Sequence, residues 1–187
     1  SKYGDNDCDG VDFMDLWEND GPAAETMDDI DTTTYIEFEF ANRVESLIES
    51  HKISNDDDDD DSPFFLMYSM HLPHYPTEIP KDEYQTWEDD ENMCQANNDF
   101  IYPELTNGDD FKCRSAVQSQ VNLLDKIVGS IVDKLKKLDL WENTLLVFTS
   151  DNGGSYEMDD TAGNNWPLRG GKSSSFEGGV RAASFVS

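Results

Sequence analysis

The chain has 187 residues, enough for one domain with a buried core, and its net charge is -28 from 41 acidic and 13 basic side chains. Such a charge repels nucleic acid and anionic lipid, so neither is expected as a partner, whereas cations are attracted. No stretch approaches the roughly 20 consecutive apolar residues that a membrane span needs.

The first third of the chain predicts a loop, a helix and a link, in that order. Residues 1–35 have little apolar periodicity and are expected to be loop, with a short strand near "VDFMDLW". The next apolar residues lie on one helical face: Phe40, Val44, Leu47 and Ile48. We expect this helix to end near His51, and the six aspartates at 56–61 to form a solvated link.

Three apolar runs then predict strands, and one periodic stretch predicts a helix. "PFFLMYSM" (63–70) is continuously apolar, which suits a strand buried on both faces of a parallel sheet. "TLLVFTS" (144–150) and "VRAASFVS" (180–187) are the other two predicted strands. Ser115–Leu138 predicts a long amphipathic helix with lysines in its last turns, where the helix dipole favours cations. Its apolar face comprises Val117, Val121, Leu124, Val128, Ile131, Leu135 and Leu138.

This order of elements predicts an α/β fold, a mostly parallel sheet flanked by helices. Ligands of such sheets bind beyond the carboxyl ends of the strands, where this chain has "HLPHYP" and "SDNGG". Asp151 and Asn152 in the second segment are hard oxygen donors for a cation. An ordinary glycine turn is the alternative interpretation of these residues.

Three cysteines are present, at positions 8, 94 and 113, and none forms a CxxC pair. A zinc knuckle is therefore not expected. In an oxidising compartment, Cys94 and Cys113 could close the polar segment between them as a disulfide. Cys8 would then be free or paired with a residue outside this sequence.

Several motifs in the last third together resemble the sulfatase family, and most of all its arylsulfatase B subgroup. "LWENTLLVFTSDNGG" is followed by "GNNWPLRGGKSSSFEGGVR", in the order of the family pattern. A weaker resemblance begins at "CDGVDF" and continues through "TTTYIEFEFANRVESLI", so it covers most of residues 1–187. The resemblance implies an alkaline-phosphatase-like fold and hydrolysis of a sulfate ester, of an aryl alcohol or a sugar.

The resemblance also implies a bound divalent cation, usually Ca²⁺, and a formylglycine nucleophile made from the Cys or Ser of a C/S-x-P-x-R motif. Asp151 and Asn152 correspond to metal ligands, and Lys172 to a lysine that binds sulfate. The family histidine follows a buried strand and is the first residue of the pattern H-x-P-x-x-x-P, which His74 matches and His71 does not. His74 and Lys172 are therefore the expected catalytic residues, and His71 is expected to pack or to support the site.

The chain departs from the family pattern because it has no C/S-x-P-x-R motif. We therefore expect residues 1–187 to be part of a catalytic domain, lacking the nucleophile region and the C-terminal domain, and inactive alone. The parent protein is expected in the secretory pathway, lysosomal or extracellular. The alternatives are a phosphatase or phosphodiesterase of the same superfamily, and a non-catalytic acidic remnant that binds cations weakly.

Overall fold

The computed structural model of the chain describes residues 16–23, 35–58, 62–74, 78–83, 100–101, 114–155 and 163–187. The chain separates into two units, Ser1–Ile36 and Glu37–Ser187. In the first unit, β1 (Trp17–Glu18) and β2 (Gly21–Pro22) form an antiparallel hairpin. The short strand expected near "VDFMDLW" is thus found at the last residue of that segment, and residues 11–15 lie outside the described ones.

The first predicted helix is present as α1, Ile36–Asp58. It ends beyond the predicted His51 and includes the start of the aspartate run, which was expected to be a link. No glycine or proline interrupts this stretch, so nothing in the backbone ends the helix earlier. Val44 and Ile48 are buried as expected, whereas Leu47 is 42% exposed.

Residues 62–74 run without strand pairing to any described segment, so the first predicted strand is absent there. Leu66 and Tyr68 pack against the core, while Phe65 and Met67 are 92% and 79% exposed. The prediction of burial on both faces is therefore wrong for the described residues. The helices cover one face of this segment, and no described element covers the other.

The long amphipathic helix is confirmed as α2, Arg114–Lys137, with the three predicted lysines in its last turn. Its buried face is rotated from the predicted one, since Leu123 and Ile127 are buried and Val121 is 46% exposed. The helix ends in a Schellman motif: the Leu140 amide donates to the carbonyl of Leu135 at 2.9 Å.

The described strands pair in three antiparallel couples. In the second unit, β3 (Ile79–Pro80) pairs with β4 (Phe100–Ile101), a couple that was not predicted. The other two predicted strands are β5 (Val147–Thr149) and β6 (Ser184–Val186). These two are antiparallel because the glycine-rich loop and the one-turn α3 (Glu177–Val180) return the chain to the carboxyl end of β5. The expected parallel pairing is thus not seen among the described residues.

The core of the second unit lies between α1, α2, the segment 62–74 that follows α1 and the residues that follow α2. Its buried centre is Val44, Ile48 and Leu135. Around it pack partly buried side chains of the segment 62–74, of the end of α2 and of the residues that follow α2: Leu66, Tyr68, Ile131, Leu138, Leu140, Trp141 and Leu146. No helix of the described ranges is long and apolar enough to cross a membrane.

Candidate functional site

The acidic turn directly after β5 exposes oxygen atoms. The Asn152 amide donates to Oδ1 of Asp151 at 2.8 Å, and Nδ2 of Asn152 donates to the Gly153 carbonyl at 3.0 Å. Ser150 Oγ donates to the Asn152 carbonyl at 2.7 Å. These bonds fix the orientation of both side chains. Oδ2 of Asp151 and Oδ1 of Asn152 are left out of the hydrogen bonds described for the turn.

This pair of oxygens fits a hard cation such as Ca²⁺, which binds carboxylate and amide oxygens. Ca²⁺ takes about six to eight oxygen ligands, so Asp151 and Asn152 account for only part of a site. Within the described ranges, no group of three or more His, Cys, Asp or Glu side chains lies close enough to hold a metal ion.

The two predicted catalytic side chains meet. Nζ of Lys172 lies 3.1 Å from Nε2 of His74, although the residues are 98 positions apart. An ammonium group can only donate, so Nε2 is the acceptor and the ring proton is on Nδ1. His74 is exposed and Lys172 is partly buried, so both polar groups can reach a bound molecule. The pair provides one positive charge next to one imidazole that can take up or release a proton.

Backbone hydrogen bonds join the Asp151 turn to the Lys172 loop. The Lys172 amide donates to the Gly154 carbonyl at 3.1 Å. The Asn165 side chain links the same two segments. Its Oδ1 accepts from the Gly154 amide at 2.8 Å, and its Nδ2 donates to the carbonyls of Gly154 at 2.7 Å and Gly170 at 3.1 Å. The predicted metal ligands and the predicted catalytic lysine therefore lie on adjacent, mutually fixed segments.

Glycine is required where these segments touch. A Cβ on Gly153 would lie 1.7 Å from the carbonyl oxygen of Gly178, which is far inside contact distance. Gly170 has a φ of 81°, in the left-handed region that glycine adopts without strain. The glycines at positions 153, 170 and 178 thus allow the acidic turn, the lysine loop and α3 to pack backbone against backbone.

His71, the first histidine of "HLPHYP", is held elsewhere. Its Nδ1 lies 2.5 Å from Oε1 of Glu37, and its backbone amide donates to the same oxygen at 3.1 Å. Oε2 of Glu37 accepts from the Tyr68 hydroxyl at 3.1 Å, and the His71 ring stacks on Phe40 with centroids 5.7 Å apart. Glu37 is only 2% exposed. The described contacts thus place His71 in a packing position and His74 beside the lysine.

Sequence reasoning did not identify Glu37. The available signal was an acidic residue within "IEFEF", at the start of a helix whose other inward positions are apolar. A buried carboxylate requires hydrogen-bond donors, and their source, residues 68 and 71, lies 31 and 34 positions away in the sequence. Only the folded chain shows that the donors belong to the segment that carries His74.

The family model described as Sulfatase matches residues 4–186 of this chain. Arylsulfatase J of Mus musculus is 27% identical over 180 residues, which cover 96% of this chain and 25% of that protein. Arylsulfatase A of Homo sapiens is 30% identical over 135 residues, 71% of this chain and 21% of that protein. N-acetylgalactosamine-6-sulfatase of Mus musculus is 30% identical over 121 residues, 64% of this chain and 18% of that protein.

One solved structure is also similar to this chain. The crystal structure of Ps i-CgsB in complex with k-i-k-neocarrahexaose superposes with a TM-score of 0.61 and 27% sequence identity. The match covers 84% of this chain and 29% of that one. The chain thus spans a minor part of each of these proteins, 18% to 29% of their length.

Proposed function

Since the chain belongs to the sulfatase family, we propose that it is part of a metal-dependent hydrolase that cleaves sulfate esters, of an aryl alcohol or of a sugar. The observation that carries this proposal is the 3.1 Å contact between Lys172 and His74. It joins the two side chains that the resemblance assigns to the reacting group. The backbone bond from Lys172 to Gly154 further ties this pair to the Asp151 turn.

Membership of the family implies an alkaline-phosphatase-like α/β fold. We propose that residues 1–187 are part of its catalytic domain and that the mostly parallel sheet of that fold is completed by strands outside this sequence. The extended run at residues 62–70 supports this view, since Phe65 and Met67 leave one of its faces uncovered by the described residues.

Asp151 and Asn152 would hold the divalent cation, which we propose to be Ca²⁺, through carboxylate and amide oxygens. The cation would supply positive charge next to the sulfate oxygens. No C/S-x-P-x-R motif is present, so the nucleophile, a formylglycine by resemblance, has to come from outside this sequence.

Lys172 and His74 would act on the sulfate and on the leaving alcohol. The Lys172 ammonium binds one sulfate oxygen and thereby orients the ester. Nε2 of His74 first exchanges its hydrogen bond from Lys172 for a proton, and His74 then donates that proton to the ester oxygen as the bond between sulfur and oxygen breaks. Because the two groups are in contact, they act on the same developing negative charge.

The deciding experiment compares two esters of one alcohol in a full-length protein that carries this segment. We expect turnover of 4-nitrophenyl sulfate well above that of 4-nitrophenyl phosphate. The reverse preference would support the phosphatase alternative. Turnover of neither ester, together with a missing C/S-x-P-x-R motif upstream, would support the non-catalytic remnant.

We also propose that the parent protein resides in the secretory pathway, in a lysosome or outside the cell. The support is the resemblance and the presence of two cysteines that flank one polar segment, Cys94 and Cys113. Both cysteines lie outside the described residues.

A further inference from the structure

The side-chain amide of Asn165 lies between the acidic turn that follows β5 and the Lys172 loop. It bonds to the backbone of Gly154 in that turn and to the carbonyl of Gly170 in that loop. We propose that Asn165 is a positioning residue of the sulfate ester reaction, which fixes the Lys172 ammonium relative to the cation at the acidic turn. This inference rests on the proposed sulfate ester hydrolysis. In it, Asn165 acts through Lys172 and has no contact with the reacting group.

The partners of this amide require an asparagine in one orientation. Two carbonyl oxygens need a donor, which Nδ2 supplies, and the Gly154 amide needs an acceptor, which Oδ1 supplies. An ionised carboxylate has no donor, so an aspartate could not make the bonds to the two carbonyls. The fit is also close, since a Cβ on Gly154 would lie 3.3 Å from Oδ1 of Asn165. The side chain therefore joins the two segments in a single arrangement.

The Lys172 loop is itself a closed turn. Ser174 Oγ donates to the Gly171 carbonyl at 2.7 Å and accepts from the Gly171 amide at 3.1 Å. The Ser174 amide donates to the same carbonyl at 3.0 Å, and Ser173 between them has a φ of 71°. Because the turn is closed, Lys172 moves together with the residues beside it. A bond to the carbonyl of Gly170 thus acts on the position of the lysine.

Two direct links set the direction of the lysine relative to the acidic turn. The bond from the Lys172 amide to the Gly154 carbonyl, at 3.1 Å, attaches the loop at the lysine itself. The bond from Asn165 to Gly170, also 3.1 Å, adds a second point two residues earlier, and two points define a direction where one does not. The Lys172 ammonium lies 3.1 Å from Nε2 of His74, so a small rotation of the loop would break that contact. A misplacement of about 1 Å can cost about 100-fold in rate.

The region has backbone support that does not depend on this side chain. The Gly153 amide donates to the Gly179 carbonyl at 3.0 Å, and the Gly178 amide donates to the Arg169 carbonyl at 2.8 Å. These bonds connect α3 to the acidic turn and to the start of the lysine loop. Since they remain when Asn165 is replaced, we expect a variant to fold and to differ in the placement of the lysine.

The test uses the full-length protein with Asn165→Ala, and with the neighbouring Asn164→Ala as the matched control. Asn164 is exposed, and its Oδ1 accepts from the Trp166 amide at 3.0 Å, a bond within its own segment. We expect Asn165→Ala to lower kcat/KM for 4-nitrophenyl sulfate by about 10-fold to 100-fold. Asn164→Ala should lower it by less than about twofold. An unchanged kcat/KM in Asn165→Ala would overturn the proposal.

A double-variant cycle separates positioning of the lysine from a general structural role. In a Lys172→Ala background, Asn165→Ala should lower kcat/KM by less than about threefold further, because the group that it positions is absent. A further loss as large as in the wild-type background would overturn the proposal. Asn165→Ala should also keep the rise in melting temperature on adding Ca²⁺, since Asp151 and Asn152 are held by bonds within their own turn. Loss of that rise would assign the effect to the acidic turn and overturn the proposal as well.

Chemical labelling of the lysine tests the positioning even if wild type hydrolyses no sulfate ester. Native protein is treated with acetic anhydride, and acetylation of Lys172 is measured by mass spectrometry relative to the exposed Lys81. We expect Lys172 to be labelled at least about twofold faster in Asn165→Ala, because its ammonium is no longer held beside His74. Equal labelling in wild type and variant would overturn the proposal. Faster labelling in the variant of a protein without turnover would contradict the proposed function and support the link from Asn165 to Lys172.

Discussion

The choice between two histidines three positions apart depends on contacts of single side chains. His74 touches Lys172, and His71 is paired with the buried Glu37 and stacked on Phe40. We expect His74→Ala and Lys172→Ala each to lower kcat/KM for a sulfate ester by roughly 100-fold or more, the usual cost of one donor in a preorganised site. Steady-state kinetics on the full-length protein measures this effect.

His71→Ala is the built-in control and should cost less than about tenfold, since the His71 ring contacts Glu37 and Phe40 and not Lys172 in the described structure. The double variant of His74 and Lys172 should lose less than the product of the single losses, because both groups act on one charge. A damaging His71→Ala beside a silent His74→Ala would show that the proline spacing identified the wrong histidine.

Asp151 is exposed and uses only Oδ1 in its described hydrogen bond, which leaves Oδ2 for a cation. In the full-length protein, Asp151→Ala should abolish both turnover and the rise in melting temperature on adding Ca²⁺. Asp82→Ala, at another exposed aspartate, is the control and should keep both. Wild-type turnover and Ca²⁺ response in the Asp151 variant would remove this residue from the metal site.

Glu78 gives a prediction about pH. Burial raises the pKa of its carboxyl group above the ordinary value of 4.5. The folded state therefore binds this proton more tightly than the unfolded state, so the stability contributed by the group is full below pH 4.5 and is lost as pH rises through the raised pKa. Glu78→Gln removes that loss.

We expect Glu78→Gln to increase the free energy of unfolding relative to wild type, and this increase to be larger at pH 7 than at pH 4. Denaturant titrations at the two pH values measure the difference. Asp82→Asn removes one negative charge at an exposed position and controls for the general effect of the acidic chain. An equal gain at both pH values, or a gain matched by the control, would contradict a raised pKa of Glu78 in the protein.

At the scale of elements, the first turn of α1 is joined to the segment that carries His74. Glu37 accepts hydrogen bonds from the Tyr68 hydroxyl and the His71 amide while almost completely buried. Glu37→Ala leaves these donors without their acceptor, so we expect it to lower the free energy of unfolding by about 1 to 3 kcal/mol. Glu37→Gln should cost less, because its amide oxygen still accepts.

Urea denaturation of the full-length protein measures both variants. Asn42→Ala, at an exposed position of the same helix, should stay within about 0.5 kcal/mol of wild type. If Glu37→Ala is as mild as Asn42→Ala, the buried carboxylate does not connect α1 to the extended segment.

At the scale of the whole molecule, the redox state of the cysteines tests the proposed compartment. If the parent protein passes through a secretory compartment, Cys94 and Cys113 should be oxidised to each other. Alkylation of the native protein followed by mass spectrometry reads this directly, with Cys8 as an internal comparison. Two free thiols at positions 94 and 113 would indicate a reducing compartment.

The helices and the motif residues could be predicted from the sequence because their signals are local. Apolar residues alternating by four and three produce α2 whatever they pack against, and α1 follows from the same periodicity. The order of the glycine-rich motifs likewise identified the family and the candidates Asp151, Asn152 and Lys172, and the spacing of the prolines identified His74.

The pairing of distant residues could be decided only by the tertiary structure. A run such as "PFFLMYSM" is apolar on both faces, but whether each face is covered depends on elements far away in sequence, and here the described residues cover one. The antiparallel return of β6 to β5 depends on the path of the whole glycine-rich loop. The contact of Lys172 with His74, 98 positions apart, has no local signature, because it arises when packing of separate segments brings two loops together.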